Sequence, residues 1–246
     1  MLKTEGIVLK EIKYGDTSKI LNIYTRDLGK VSTIVKGAYN PKSKLIANSQ
    51  TFSLNEYQFK KGRNFHYIID ADLLDSYYCL REDIERLIYG YYILELMDKS
   101  VPMEQENQLL YELLKKALGL LNTMEGDFLS FIIGYELKFA SFLGYRPVLD
   151  SCVSCGEREM EAMRFSISQG GILCPKCFSK DGFSKVINRE IYDIIYKALY
   201  SSLEDLRKIA GSDQDLTRAH NLLVDYILYS IDRQKFNSLA LLETIV

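Results

Sequence analysis

Four of the five cysteines in this chain of 246 residues fall in one stretch, "CVSCGEREMEAMRFSISQGGILCPKC", as two Cys-x-x-Cys pairs eighteen residues apart. No other feature narrows so sharply what the chain can fold into. A Cys-x2-Cys turn sets two sulfurs at the spacing of two corners of a tetrahedron, and a second such turn closes the shell around a zinc ion. Cys152, Cys155, Cys174 and Cys177 are therefore the expected ligands of one structural Zn2+ per chain. Gly156 follows the first pair, where a sharp turn favours a residue without Cβ, and Gly170 and Gly171 separate "MRFSIS" from "ILC". The segment at about 150–182 reads as a zinc ribbon: knuckle, short strand, turn, strand, knuckle.

Other uses of four thiols fit less well. Disulfides suit a secreted chain, whereas "MLKTEGIVLK" has no leader character, so a reducing, cytoplasmic compartment is expected. A thioredoxin-like motif wants one Cys-x-x-Cys beside a βαβ pattern. A catalytic zinc keeps an open position and usually takes His or carboxylate ligands, and the deaminase signature His-x-Glu with Pro-Cys-x-x-Cys is missing. Cys79, alone in "DSYYCLRED", reads as a small buried apolar residue near a helix start.

The rest of the chain divides by pattern near residue 79. Up to there, "EGIVLKEIKY", "SKILNIYT", "KVSTIVKGA", "FSLNEYQFKKG" and "FHYIIDADLL" are short runs rich in β-branched and aromatic residues, separated by Gly-containing turns. Phe52 and Leu54 occupy one alternation phase and Tyr57 and Phe59 the other, so a bulge is expected in the fourth run. Five strands with a long connection, "YNPKSKLIANSQ", between the third and fourth fit an OB-fold, and an SH3-like barrel has a similar strand count. From residue 80 to 246 helical spacing takes over. Residues 82–98 and 127–144 are apolar on more than one face, as central helices of a bundle are. "QLLYELLKKALGLL" is amphipathic, Gly144 and Pro147 stop one helix, and Asn188 caps the next. A last helix spans about 215 to 231. The expected class is α+β: an OB barrel over 1–79, then a helical domain over 80–246 with the ribbon embedded in it.

Charge follows the same division. Residues 1–70 hold twelve Lys and Arg against six Asp and Glu, a net +6, and the chain total of −2 leaves −8 for the remainder. Such asymmetry points to an anionic partner for the first part, although a lysine-rich solvated surface gives the same count. In an OB-fold the strand 2–3 face and the loops joining strands 1–2 and 4–5 line a groove for oligonucleotides. Lys19 and Lys36 are candidates for that face. Lys42 and Lys44 lie in the long connection, and Lys60, Lys61 and Arg63 cluster at the turn before the fifth strand. Tyr14, Tyr24, Tyr39, Tyr57, Phe59, Phe65 and Tyr67 are interleaved with them, and more than half are expected in the barrel core.

Signals of catalysis are thin. The chain has no Walker A loop, G-x-G-x-x-G, G-x-S-x-G or H-E-x-x-H, and only two histidines, His66, read as a surface or barrel-lining residue, and His220, read as a satisfied structural side chain. The segment from Phe128 to Leu143 is too short to span a bilayer and carries Glu136 and Lys138, so no membrane partner is expected. A ribosomal or RNA-binding OB protein with a zinc ribbon and a zinc-dependent hydrolase are the alternatives to a DNA-binding protein.

"EGIVLKEIKYGDTSKILNIYTRDLGKVSTIVKGAYNPKSKL" resembles the opening of the RecO family of bacterial recombination mediators. "YELKFASFLGYRPVLDSCVSCG" followed by "GGILCPKC" is similar to that family's helix, Gly-Tyr-x-Pro turn and zinc site. The resemblance implies a non-enzymatic DNA repair protein of the bacterial cytoplasm, with the nucleoid as its place of work during repair. Such a protein binds single- and double-stranded DNA, anneals complementary strands, and associates with RecR and with the C-terminal tail of single-strand-binding protein. It thereby helps RecA load onto coated strands. Lys19, Lys36, Lys42 and Lys44 fall where the family tends to carry basic residues. Relatives often have Arg-Arg after Lys-Gly-Ala, and this chain has Tyr39-Asn40. That exchange removes charge and supplies a ring able to stack on a base.

Overall fold

The first strand sets the architecture because it is long enough to pair with a different strand along each half. In the computed structural model, which describes residues 2–40, 42–43, 45–63, 65–206, 209–242 and 244, β1 runs from Leu2 to Tyr14. Its first half pairs with β4 (Leu54–Lys61) and its second half with β2 (Ser18–Thr25). Gly6 belongs to both ladders, opposite Thr25 on one side and Asn55 on the other. A Cβ there would meet Ile23 Cγ2 at 2.7 Å, so strand curvature at this point requires glycine. A register shift between Val8 and Lys10 adds the bend.

β2 continues into β3 (Gly29–Val35), and β5 (His66–Asp75) pairs antiparallel with β4 and in parallel with β3 at Thr33 and His66. The order β1-β2-β3-β5-β4 closes into a barrel. The return of β4 beside β1 and the parallel contact between β3 and β5 make a Greek-key barrel, the OB arrangement, where a meander would pair only consecutive strands. Val8, Leu21, Ile23, Val31, Val35, Tyr57 and Phe59 fill its interior.

The bulge expected in the fourth run lies elsewhere. The ladder irregularities fall on β5, at Ile69 and Leu74, and β4 runs through without one. Its inward set is Asn55, Tyr57 and Phe59, so a polar residue occupies the phase where an apolar one was sought. Asn55 is accommodated by a buried network: Asn48 Nδ2 donates to its Oδ1 at 2.8 Å, and its own Nδ2 donates to the Tyr57 hydroxyl at 2.7 Å. That hydroxyl donates in turn to the Asn48 carbonyl at 2.7 Å. Every partner is satisfied, which makes the burial tolerable and pins the β3–β4 connection onto the barrel. Phe52 faces the other way, its ring centroid 5.1 Å from that of Tyr91. The aromatics also depart from expectation. Only Tyr24, Tyr57 and Phe59 of the seven are fully buried, while Tyr14, Tyr39 and Tyr67 stand about half exposed.

Helices α1 (Cys79–Glu82), α2 (Ile84–Ser100) and α3 (Gln108–Thr123) group with the barrel and with the segment Phe236–Ile245, which includes α7 (Leu239–Leu242), as one compact unit. Asp83 and Asn107 cap α2 and α3 by accepting from the N–H groups of Arg86 and Leu110. Gly29, at φ +66°, is a second position where glycine is required: a Cβ would lie 2.0 Å from the carbonyl oxygen of Gln105. The compact units divide between Met124 and Glu125, whereas strands give way to helices near residue 79.

The second unit, Glu125–Lys235, holds α4 (Phe128–Phe142), the ribbon strands β6 (Met163–Ser166), β7 (Gly171–Leu173) and β8 (Lys185–Ile187), then α5 (Arg189–Tyr200) and α6 (Asp213–Ser230). α4 is buried on most faces and packs against α5 and α6, as its composition predicts. Gly144 takes φ +94° just beyond it. Inside this bundle His220 Nδ1 lies 2.9 Å from Glu136 Oε1, both residues almost fully buried. Burial opposes a charged imidazole, but the Glu136 carboxylate outweighs it and raises the His220 pKa.

Candidate metal centre and nucleic-acid surface

Two knuckles bring the four sulfurs together. In the first, the Gly156 N–H bonds the Cys152 carbonyl at 2.8 Å, with Gly156 at φ +79°. In the second, a 3-10 turn over Pro175–Lys180 opens with the Cys177 N–H on the Cys174 carbonyl at 2.8 Å. β6 and β7 between them return the chain, so the hairpin sets the distance between knuckles.

The sulfurs of Cys152, Cys155, Cys174 and Cys177 all lie within 4.8 Å of one another, with Cys155 and Cys174 at 3.6 Å. Four metal–sulfur bonds of 2.3 Å in a tetrahedron put sulfurs about 3.8 Å apart, so the donors fit one metal ion. Backbone N–H groups also point at them. The Cys174 amide donates to Cys152 Sγ at 3.4 Å, and amides of Cys174, Ser154 and Cys155 hold the Cys152 thiol below its usual range against the opposing effect of burial. Burial pushes Cys174 and Cys177 up, so metal binding here would release protons. Leu173, Val153, Met160 and Phe178 pack around the cluster. Four sulfur donors complete a tetrahedral shell and leave it no open position for substrate. Cys79 is half-buried at the start of α1 and is not one of these four.

The basic candidates separate into two groups. Lys19 pairs directly opposite Val35 in the β2–β3 ladder, so Lys36, one residue on, lies beside it at the same end of the barrel. Lys42 is exposed in the connection that follows, and Lys44 lies outside the described residues. Lys13, across the β1–β2 ladder from Lys19, joins this end, and Tyr39 projects from it with Lys19 Nζ 5.1 Å from its ring centroid. Lys60, Lys61 and Arg63 sit at the β4–β5 turn. The registers set Lys61 opposite His66 and His66 beside Thr33, three residues before Lys36, so the two groups are offset by roughly 10 Å along the strand at 3.3 Å per residue.

Acids modify both groups. Lys19 is paired to Glu11, and Lys61 to Glu104 at 2.8 Å. Lys36, Lys42, Lys60 and Arg63 are exposed and form no ion pair among the described residues. Between the two groups, the outer face of β2–β3 is occupied. Asn22 donates to Asp98 of α2 at 2.8 Å, Ser32 donates to Asn22, and Lys30 bonds the Asp98 backbone carbonyl. The Glu104 N–H then bonds the Lys30 carbonyl at 2.8 Å. The groove that an isolated OB barrel presents is thus part-covered by its own helix. Glu11 is legible in sequence once the β1–β2 register is known, because it stands two positions diagonal to Lys19. Asp98 and Glu104 come from a different element and carry no local signal. His66 is buried, its Nδ1 3.8 Å from Glu104.

The family described as Recombination protein O N terminal matches residues 1–77, and Recombination protein O C terminal matches residues 81–240. A protein named DNA repair protein RecO from Alkaliphilus metalliredigens (strain QYMF) is 35% identical over 245 residues, covering 100% of both chains. A protein of the same name from Thermoanaerobacter sp. (strain X514) is 34% identical over 86% of this chain and 85% of its own. Another, from Exiguobacterium sp. (strain ATCC BAA-1283 / AT1b), is 32% identical over 92% of this chain and 89% of its own. Two family matches that together span nearly all of the sequence, over a barrel and a cysteine cluster in the expected order, place this chain in the RecO family.

Proposed function

We propose that the protein is a DNA repair and recombination mediator that binds DNA through the open end of its barrel and performs no bond-breaking chemistry. The single observation that supports this best is the coincidence of family membership with charge. The part of the chain that carries net +6, residues 1–70, lies in the OB barrel, and the unpaired Lys36 and Lys42 follow the end of β3. Lys36 and Lys42, with Lys13 and the acid-paired Lys19 beside them, meet phosphates, and Tyr39 offers a ring to an unpaired base. Lys60 and Arg63 form a second, smaller phosphate contact, with the acid-paired Lys61 beside them, and Lys44, outside the described residues, is a further phosphate-binding candidate. Contacts of this kind are strong at low salt and nearly blind to sequence.

Annealing follows from the same arrangement. Lysines that screen phosphate repulsion while leaving base edges open let two complementary strands meet on one surface. Double- and single-stranded DNA both satisfy it. The cysteine cluster holds a structural Zn2+ and keeps the ribbon folded. As in the family it belongs to, the protein works with RecR and with the acidic tail of single-strand-binding protein, so that RecA gains access to coated strands.

The test is annealing of complementary strands precoated with the cognate single-strand-binding protein. The proposal expects the chain to accelerate annealing of coated DNA, with RecR retained in pull-down. Failure to anneal coated strands, with equal or better binding to matched RNA, would contradict it and favour an RNA-binding role.

A further inference from the structure

Charge in the carboxyl-terminal part is not uniform. From residue 71 onward the chain is net −8, yet residues 163–189 hold Arg164, Lys176, Lys180, Lys185 and Arg189 against one acid, Asp181. The same segment contains the most exposed large apolar side chain among the described residues. Phe183 is 95% exposed, and Val186, three residues on, is 75% exposed. Phenylalanine in water is unfavourable by its whole buried-area equivalent, so a ring displayed this fully calls for a partner.

The ring stands on a braced turn. Asp181 Oδ1 accepts from the Phe183 N–H at 2.9 Å, and the Asp181 carbonyl accepts from the Ser184 hydroxyl at 2.7 Å. The other carboxylate oxygen accepts from Ser166 at 2.6 Å and Ser168 at 3.1 Å, tying the turn to β6. The Ser166 hydroxyl holds the Asp181 carboxyl below its usual range. Beside the turn, the β6–β8 ladder sets Arg164 opposite Val186 on one face. The Arg164 guanidinium lies 4.7 Å from the Phe178 ring centroid, and Phe178 packs on the cysteine cluster. A groove of about 310 Å3 passes Arg164, Phe178, Val186 and Arg189. Lys176 is 3.8 Å from Glu157 and Lys185 is paired to Asp225, whereas Lys180 is exposed and unpaired among the described residues.

We propose that this face of the ribbon is a contact for single-stranded nucleic acid, in which Phe183 stacks on an unpaired base while Lys180 and Arg164 meet the flanking phosphates. An exposed ring on a braced turn, in a basic segment, is the combination that single-strand-binding surfaces use, because every base offers a π-face and every nucleotide a charge. A duplex hides its base faces, so the ring selects single strands. An apolar protein partner would not need the reversal of charge in this segment. The inference concerns the ribbon and stands apart from the barrel contact proposed above.

The chain has no tryptophan, so Phe183→Trp in the full-length protein gives a single emitter at the site. Fluorescein-labelled oligothymidylate and oligouridylate are titrated in, with anisotropy reporting binding and indole emission reporting stacking. The expected result is quenching of indole emission in step with the rise in anisotropy. Quenching by one polymer or by both supports the proposal and names the strand bound. Phe183→Ala is expected to weaken single-strand binding by about fivefold to a hundredfold, the span of one lost base–aromatic stack, with duplex binding unchanged. A rise in anisotropy with unchanged indole emission would overturn the ribbon contact and leave the barrel contact standing. No rise in anisotropy would overturn both. An emission blue shift that grows with protein concentration in the absence of nucleic acid would assign Phe183 to an interface between copies, and overturn it as well.

Discussion

At the scale of single residues, the acids beside the lysines decide which cations are available. Lys19 and Lys61 each share their charge with a carboxylate, and a phosphate must displace that partner before it gains anything from them. Exposed pairs of this sort are worth only about 0.2–1 kcal/mol, so the competition is real but modest. Glu11→Gln should therefore free Lys19 and strengthen single-strand binding by about twofold to fivefold, within the range of such a pair. Equilibrium titration at low salt measures it, and weaker or unchanged binding would remove Lys19 from the contact. Sequence alone named the lysines but could not find the partner of Lys61, because Glu104 lies 43 residues beyond it. Nor could it find Phe183, whose significance rests on exposure and not on residue type.

Individual elements divide by how local their determinants are. The ribbon was legible because its constraint is covalent spacing: two Cys-x-x-Cys turns and two glycines place four sulfurs wherever the rest of the chain goes. The capped helices were legible for the same reason, with Asn188 and the Gly144 stop acting within one turn. β4 was misread because burial of Asn55 depends on Asn48 and Tyr57, a network no alternation pattern reveals. Blocking the four sulfurs with a thiol-reactive mercurial, so that they can hold no metal, should strip amide hydrogen-exchange protection from β6, β7 and β8 while β1–β3 keep theirs. Retained protection in the ribbon would mean that no ion is needed to hold it. In the α4–α6 pair, the raised pKa of His220 means folding takes up a proton. That stabilisation is fully present below the unfolded value of about 6.5 and fades as pH rises through the higher folded value. Glu136→Gln removes the carboxylate and leaves burial in control, which lowers the folded value. Stability of the variant should then rise with pH up to about 6.5 and level off above it, where the parent's falls, with a slope of at most about 1.4 kcal/mol per pH unit. Urea unfolding across the window reads the sign, and parallel profiles would show that Glu136 does not set the charge of His220.

For the molecule as a whole, the division of charge organises the account: an electropositive barrel and a net-negative remainder interrupted by one basic ribbon face. Fold class followed from the change of period near residue 79, since strand and helix patterns differ over long windows. The part-covering of the β2–β3 face by Asp98 and Glu104 did not follow, because it depends on how α2 and the segment after it return to the barrel. That covering moves the expected phosphate contact from the middle of the sheet to its open end. The salt dependence of single-strand binding tests this most directly, measured for the parent chain and for Lys36→Glu with Lys42→Glu. The account predicts weaker binding and a plot of log affinity against log salt that is shallower by about 0.7 for each contact removed. An unchanged slope with unchanged affinity would contradict it, because the phosphates would then be held somewhere other than the open end of the barrel.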